Sequence, residues 1–205
     1  MRTYKIIILG SSYLTELVVE RLRKEYVISA GTSYLPYHLV GYIPAKKTTI
    51  PGKIDLPLLQ SLDVEHDIKL SVQYDRKLSD IDRAYNVHTG LLPEYGGLNI
   101  LSHTLANGDR EQGITFHRMT EEFDAGAIIS KVTYPVFKGD TPLDLYRRVA
   151  LLIPGFVHSS LSLLRTLSEE QIAGCFSYPP RLYQRGEFKL DESFKKFRAE
   201  REGKR

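Results

Sequence analysis

The hydrophobic pattern of the chain switches repeatedly between short apolar runs and stretches with helical spacing. Residues 4–9, YKIIIL, form a compact β-branched run that ends in Gly10, Ser11 and Ser12, and Leu14, Leu17, Val18 and Leu22 then recur as on one helix face. Apolar runs at 27–30, 39–43 and 68–72 predict further short buried strands, with an amphipathic helix over 56–62 between them. A short strand at 85–88 leads into the turn-rich LLPEYGG, and 98–105 has a helical pattern. Residues 113–119 and 127–136 alternate like two strands of a hairpin joined by 120–126. From 141 to 167 helical spacing returns, interrupted by Pro154 and Gly155, which predicts a long helix kinked or split there and capped by Asp140 or Thr141.

Strands alternating with helices predict an α/β fold: an open, mostly parallel twisted sheet with helices on both faces and one C-terminal hairpin of the sheet. In such sheets ligands bind beyond the carboxyl ends of the strands. The 205 residues are enough for a core of their own. The sequence divides at the Pro179-Pro180 pair into a domain over 1–178 and a charged extension over 179–205, where aromatics and charges alternate without an apolar face. That extension reads as a solvated terminal helix.

Composition narrows the function mainly by exclusion. A net charge of +3 with interleaved signs marks neither a nucleic-acid nor a membrane surface. The single Cys175 rules out an internal disulfide, and its surroundings read as packing. No apolar run is long enough to span a bilayer, and the start MRTYKIIILGSS lacks a signal-peptide core, so a cytoplasmic protein is expected. The histidines have no carboxylate or cysteine neighbours at ligand spacing, so no metal is expected.

Chemistry concentrates in two places. Asn86 and His88, at i and i+2 on a predicted strand, project from one face and can address one ligand. An amide donor suits a developing oxyanion, and an imidazole can move a proton near neutral pH. Asp124 stands in the hairpin connection beside Ala125 and Gly126, where a carboxylate could orient the histidine. Asn-x-His on a strand can equally be a structural hydrogen-bonding feature, and Asp before small residues can simply make a turn.

Taken together, NVHTGLLPEYGG and NGDREQGITFHRMTEEFDAGAIISK resemble the folate-dependent formyltransferase family, which includes glycinamide ribonucleotide formyltransferase, the amino-terminal domain of methionyl-tRNA formyltransferase and sugar N-formyltransferases. The shared pattern is Asn-x-His, Leu-Leu-Pro and a Gly, then a Gly-x-Thr strand, a His or similar residue, and an Asp before a small residue and Gly. The resemblance implies a Rossmann-like formyltransferase fold, Asn86, His88 and Asp124 as the catalytic trio, and 10-formyltetrahydrofolate as co-substrate. It also implies a carrier site in which Tyr74, Arg76 and Leu78 meet the pterin from one side and Met119, Thr120, Glu121 and Asp124 from the other. Two departures bear on the site: only residues 79–85 separate Leu78 from Asn86, leaving little room for the family's usual helix, and Thr89-Gly90 follows His88 where the family commonly has Pro-Ser.

The acceptor implied is a small-molecule primary amine. The chain resembles the sugar N-formyltransferases most, through MTEEFDAGAII and the Tyr-rich C-terminal stretch, which implies a nucleotide-linked amino sugar. Gly10, Ser11 and Ser12 are the candidate substrate-binding residues, where an anion would sit on a helix start, although a plain strand-to-helix turn with a Ser cap fits them equally. Alternatives are purine-synthesis glycinamide ribonucleotide formylation, formyltetrahydrofolate hydrolysis with water as acceptor, and folate binding without turnover. No nucleic-acid or membrane partner is expected, and the protein is expected to be a monomer or homodimer.

Overall fold

The computed structural model describes residues 3–24, 27–29, 32–34, 36–48, 50–177, 179–183 and 192–203. In chain order the elements are β1 (Tyr4–Leu9), α1 (Tyr13–Arg23), β2 (Val27–Ser29), β3 (Thr32–Tyr34), β4 (Tyr37–Ile43), β5 (Ile68–Val72), β6 (Ala84–His88), β7 (Gly96–Gly97), α2 (Ile100–Asn107), β8 (Glu111–Arg118), β9 (Ile128–Pro135), α3 (Pro142–Leu164), α4 (Glu169–Ala173), β10 (Leu182–Tyr183) and α5 (Glu192–Glu202). The central sheet has the order β4-β1-β5-β6-β8-β9. Its first four strands are parallel, and β8 and β9 close one side as the expected antiparallel hairpin.

Strand β1 explains why the sheet is built around it. Ile6, Ile7, Ile8 and Leu9 are all fully buried, as a strand covered on both faces requires. Ile6 and Ile8 join Leu70, Val72, Tyr85, Val87, Ile114 and Phe116 under α1 and α3, whose Leu14, Val18, Val149, Ile153 and Val157 complete the main core. Helix α3 starts as the sequence predicts: the Thr141 side chain accepts from the Asp144 amide, and Asp144 returns a bond to the Thr141 amide. It is not split at Pro154 but runs unbroken across it. Burial of Ile153 and Val157 on either side holds the helix together despite the lost backbone bond.

Three further expectations change. The helix expected over 56–62 does not form; the segment is irregular and runs along β4, where Tyr42 donates to the Pro57 carbonyl and accepts from the Leu59 amide. Pro57 has no amide to give a helix, and Leu59 and Leu62 instead cover Ile7, Leu9 and Ile43 on the second face of the sheet. The run at 27–30 enters a separate two-stranded hairpin, β2 with β3, rather than the central sheet; residue 30 lies outside the described residues. Helix α5 does have an apolar side: Phe194 is buried against Tyr146 of α3, and Phe197 meets Tyr13 of α1. Among the described residues no helix is long and apolar enough to cross a membrane.

Over β5, β6 and β8 the second face is polar. Lys69, Ser71, His88, Thr115 and His117 are all buried there, beside half-buried Asn86. Buried polar groups must find partners. The partners they find define the site.

Candidate active site

Strand register places Asn86 between two donors or acceptors from its neighbours. It lies opposite Ser71 on parallel β5 and His117 on antiparallel β8. The Ser71 hydroxyl donates to Asn86 Oδ1 at 2.7 Å, and Asn86 Nδ2 lies 3.2 Å from His117 Nε2. His117 Nδ1 lies 2.9 Å from the Arg118 carbonyl, which can only accept, so Nδ1 carries the proton and Nε2 receives the Asn86 amide. An amide nitrogen has two hydrogens, and one remains to meet a ligand oxygen.

His88 closes the strand end. Its Nε2 donates to the Tyr95 carbonyl at 2.6 Å, which leaves Nδ1 as the nitrogen able to exchange a proton. Thr115, across the ladder from His88, bonds the Gly90 carbonyl at 2.7 Å and the Leu92 amide at 3.1 Å, wrapping the turn over the imidazole. A side chain at Gly90 would come within 2.6 Å of the Tyr95 oxygen and 2.9 Å of His88 Nε2. Glycine after Thr89 is thus a packing requirement of this turn.

Asp124 arrives from the hairpin connection with φ of +56°, a left-handed conformation that Asp adopts more readily than most residues. This bend aims the carboxylate inward. Oδ2 accepts from the Gly97 amide at 2.8 Å, while Oδ1 lies 3.4 Å from His88 Nδ1 and 3.6 Å from His117 Nε2. Burial by itself would raise the carboxyl's pKa, but His88 and His117, which attract it when protonated, and the Gly97 amide outweigh burial and hold it at about 2. Burial pushes His88 below its ordinary value, with Asp124 opposing and His117 reinforcing that shift. The resting site is a fixed carboxylate beside an imidazole that is neutral at neutral pH and has its Nδ1 turned to the carboxylate.

The structure brings together Asn86, His88 and Asp124, drawn from two separate stretches of sequence. His117 and Ser71, to which the sequence reading gave no role, complete the row. Their signal is the alternation of strands β5 and β8, but it becomes legible only once the register with β6 is known.

The residues expected around the carrier form two rims. Tyr74 and Leu78 pack on the Ile7, Leu9 and Ile43 cluster, and Asp75 fixes their loop by accepting from the amides of Lys46 and Lys47 at 2.6 and 2.8 Å. Arg76 is exposed. On the other rim Met119 donates its amide to the Ala84 carbonyl, and Thr120 and Glu121 are exposed. The rims meet where the Lys77 ammonium lies 5.7 Å from the centre of the Phe123 ring. Asp80 pairs with buried Lys69 at 2.8 Å, and Lys69 also reaches the Asp82 carbonyl; these bonds order the short connection that stands where a helix was in doubt.

At Gly10, Ser11 and Ser12 the geometry fits the second of the two readings, a strand-to-helix turn with a Ser cap. Gly10 N–H donates to Ile43, Ser12 N–H to the Thr15 hydroxyl, and Tyr13 N–H to Ile50. The Ser12 hydroxyl caps α1 by accepting from the Thr15 amide, and Ser12 is 1% exposed. With these groups committed inside the chain, the turn is a helix cap. The groove of about 560 Å³ between β9 and α3, lined by Leu151, Phe156 and Leu163, lies on the helical side of the sheet, away from His88 and Asp124.

An α/β sheet with a buried Asn–His–Asp constellation at the end of a parallel strand is the class of protein these features define. Residues 80–154, which hold Asn86, His88, His117 and Asp124, match the formyl transferase family. Methionyl-tRNA formyltransferase of Streptococcus uberis is 31% identical over 121 residues, 58% of this chain and 38% of that protein. Phosphoribosylglycinamide formyltransferase of Escherichia coli is 43% identical over 67 residues, 33% of this chain and 32% of that protein. The chain thus spans less than half the length of these curated relatives. The crystal structure of an N-formyltransferase from Helicobacter canadensis, in complex with folinic acid and dTDP-3-aminofucose, matches with a TM-score of 0.70 at 17% identity, over 91% of this chain and 73% of that chain. At that identity the likeness is one of fold: a Rossmann-like, mostly parallel sheet.

Proposed function

We propose that this domain transfers a formyl group from 10-formyltetrahydrofolate to a primary amine. The observation that carries the reading is the approach of Asp124 to His88 Nδ1 at 3.4 Å, beside the Asn86 amide and inside the family-matched segment. The amine, in its neutral form, attacks the formyl carbon. The remaining Asn86 N–H meets the oxygen as negative charge develops there. His88 Nδ1 takes the proton released by the amine and becomes an imidazolium beside ionised Asp124. As the bond from the formyl carbon to the carrier's N10 breaks, that proton passes to N10, and tetrahydrofolate leaves with the amide product formed. The rims at 74–78 and 119–123 are the proposed seat of the carrier, with Tyr74, Arg76, Leu78, Met119, Thr120 and Glu121 at their contact positions.

For the acceptor, a nucleotide-linked amino sugar is the proposed class. Its support is the resemblance of MTEEFDAGAII and the Tyr-rich C-terminal stretch to the sugar N-formyltransferases. The curated sequence matches favour a second reading, glycinamide ribonucleotide or methionyl-tRNA as acceptor. An assay that follows tetrahydrofolate release with no amine, nucleotide amino sugars, glycinamide ribonucleotide and methionyl-tRNA decides among these. The proposal expects release only with an amine, and with the sugar class. Equal release without amine would make the protein a hydrolase, and no release with any of them would refute formyl transfer.

A further inference from the structure

The two bonds that orient the reacting pair from outside the sheet come from one short stretch. Tyr95 supplies the carbonyl for His88 Nε2, and Gly97 supplies the amide for Asp124 Oδ2. Neither residue belongs to the central sheet, so something else must fix them. Tyr95 is tied locally by its amide to the Leu91 carbonyl and by its hydroxyl to Asp109, and the C-terminal strap 179–183, which lies outside the family-matched segment, holds the stretch from the other side.

The strap runs parallel to Gly96 and Gly97 as β10. Arg181 donates its amide to the Pro93 carbonyl at 2.8 Å and accepts from the Gly96 amide at 3.0 Å; the Tyr183 carbonyl accepts from the Leu98 amide at 2.8 Å. Backbone bonds therefore bracket Gly97 on both sides. The approach is so close that a side chain at Gly97, whose φ is +90°, would overlap the Tyr183 carbonyl. Side chains lock the same junction: the Tyr183 ring stacks on Tyr95 with centroids 5.2 Å apart and planes 9° apart, and lies 4.3 Å from the His103 ring. The Asn107 amide donates to both phenols, at 2.7 Å to Tyr95 and 3.0 Å to Tyr183.

We propose that Tyr183 is a positioning residue for the reaction: through its stack on Tyr95 and its backbone bond to Leu98 it sets where the Tyr95 carbonyl and Gly97 amide stand, and so how His88 and Asp124 face each other. The kinetic consequence rests on the formyl-transfer reading; the geometric one does not. A small misplacement of reacting groups costs rate far more than it costs ground-state binding.

The test compares Tyr183→Ala and Tyr183→Phe, with Tyr183→Leu replacing the alanine variant if that one fails to fold. Two quantities are read: kcat and carrier KM, and the nitrogen NMR shifts of His88 in the resting protein without carrier or amine. Loss of the ring should lower kcat about tenfold or more while KM changes less than about twofold, and should turn a single Nε2–H tautomer of His88 into an averaged one. Phenylalanine should restore both. A ring-deleted variant that keeps the wild-type tautomer and kcat overturns the proposal. A wild-type protein with no turnover on any amine would refute formyl transfer, and the tautomer signature would still decide the role of Tyr183.

Discussion

At the scale of single residues, the site depends on side chains that each make more than one bond. Asn86 joins Ser71 and His117 while keeping an N–H for the ligand, so Asn86→Ala should lower kcat about 100-fold or more. The same change leaves a buried hydroxyl and an imidazole nitrogen without their partner, and should cost about 1–3 kcal/mol in urea unfolding. Unchanged turnover would remove Asn86 from the reaction. The pairing of Asn86 with His88 was legible from i, i+2 spacing alone, because side-chain alternation on a strand is a local property. Contact with Asp124 is not local: it depends on a positive φ at residue 124 and on the Gly97 amide, 27 residues away, so the residues alone offer it only beside the reading of a plain turn, and the family resemblance decides between them. The role of His117 depends on which β6 residue it faces, and hairpin register fixes that only in three dimensions.

At the scale of elements, local signals held where caps and burial agreed and failed where they did not. The capped start of α3 was readable because Thr141 and Asp144 carry a reciprocal capping pair, whereas the apparent helix at 56–62 had leucines at plausible spacing but a proline inside it. The C-terminal helix is more than a solvated one because two phenylalanines among many charges make a narrow apolar face, and that is enough when Tyr13 and Tyr146 receive them. Helix α3 also contains Gly155, where an added methyl would meet no atom within 4 Å. Gly155→Ala should therefore stabilise the protein by about 0.5–1 kcal/mol, seen as a raised urea midpoint with unchanged slope. A lowered midpoint would show that the helix bends at this point and needs glycine.

At the scale of the whole molecule, the buried polar row ties stability to pH. His88 titrates below its ordinary 6.5 when folded, so the unfolded chain binds its proton first, and stability should fall as pH drops below about 6.5. Asp124 adds a second loss: its carboxyl, normally near 3.8, is held at about 2, so roughly 2 kcal/mol present above 3.8 disappears as pH falls toward 2. Urea midpoints measured across this range should show both declines, and His88→Gln should abolish the first; a flat profile would mean that His88 is not buried as described. The same coupling is the basis of the proposed chemistry, and Asp124→Asn isolates it. Asparagine also tolerates a left-handed backbone and can still accept from Gly97, so the loop should keep its shape while the charge facing His88 is lost. This coupling predicts that kcat for formyl transfer falls by about 1,000-fold or more while carrier affinity, measured by calorimetry, changes little. Near wild-type kcat in a folded Asp124→Asn protein would contradict it.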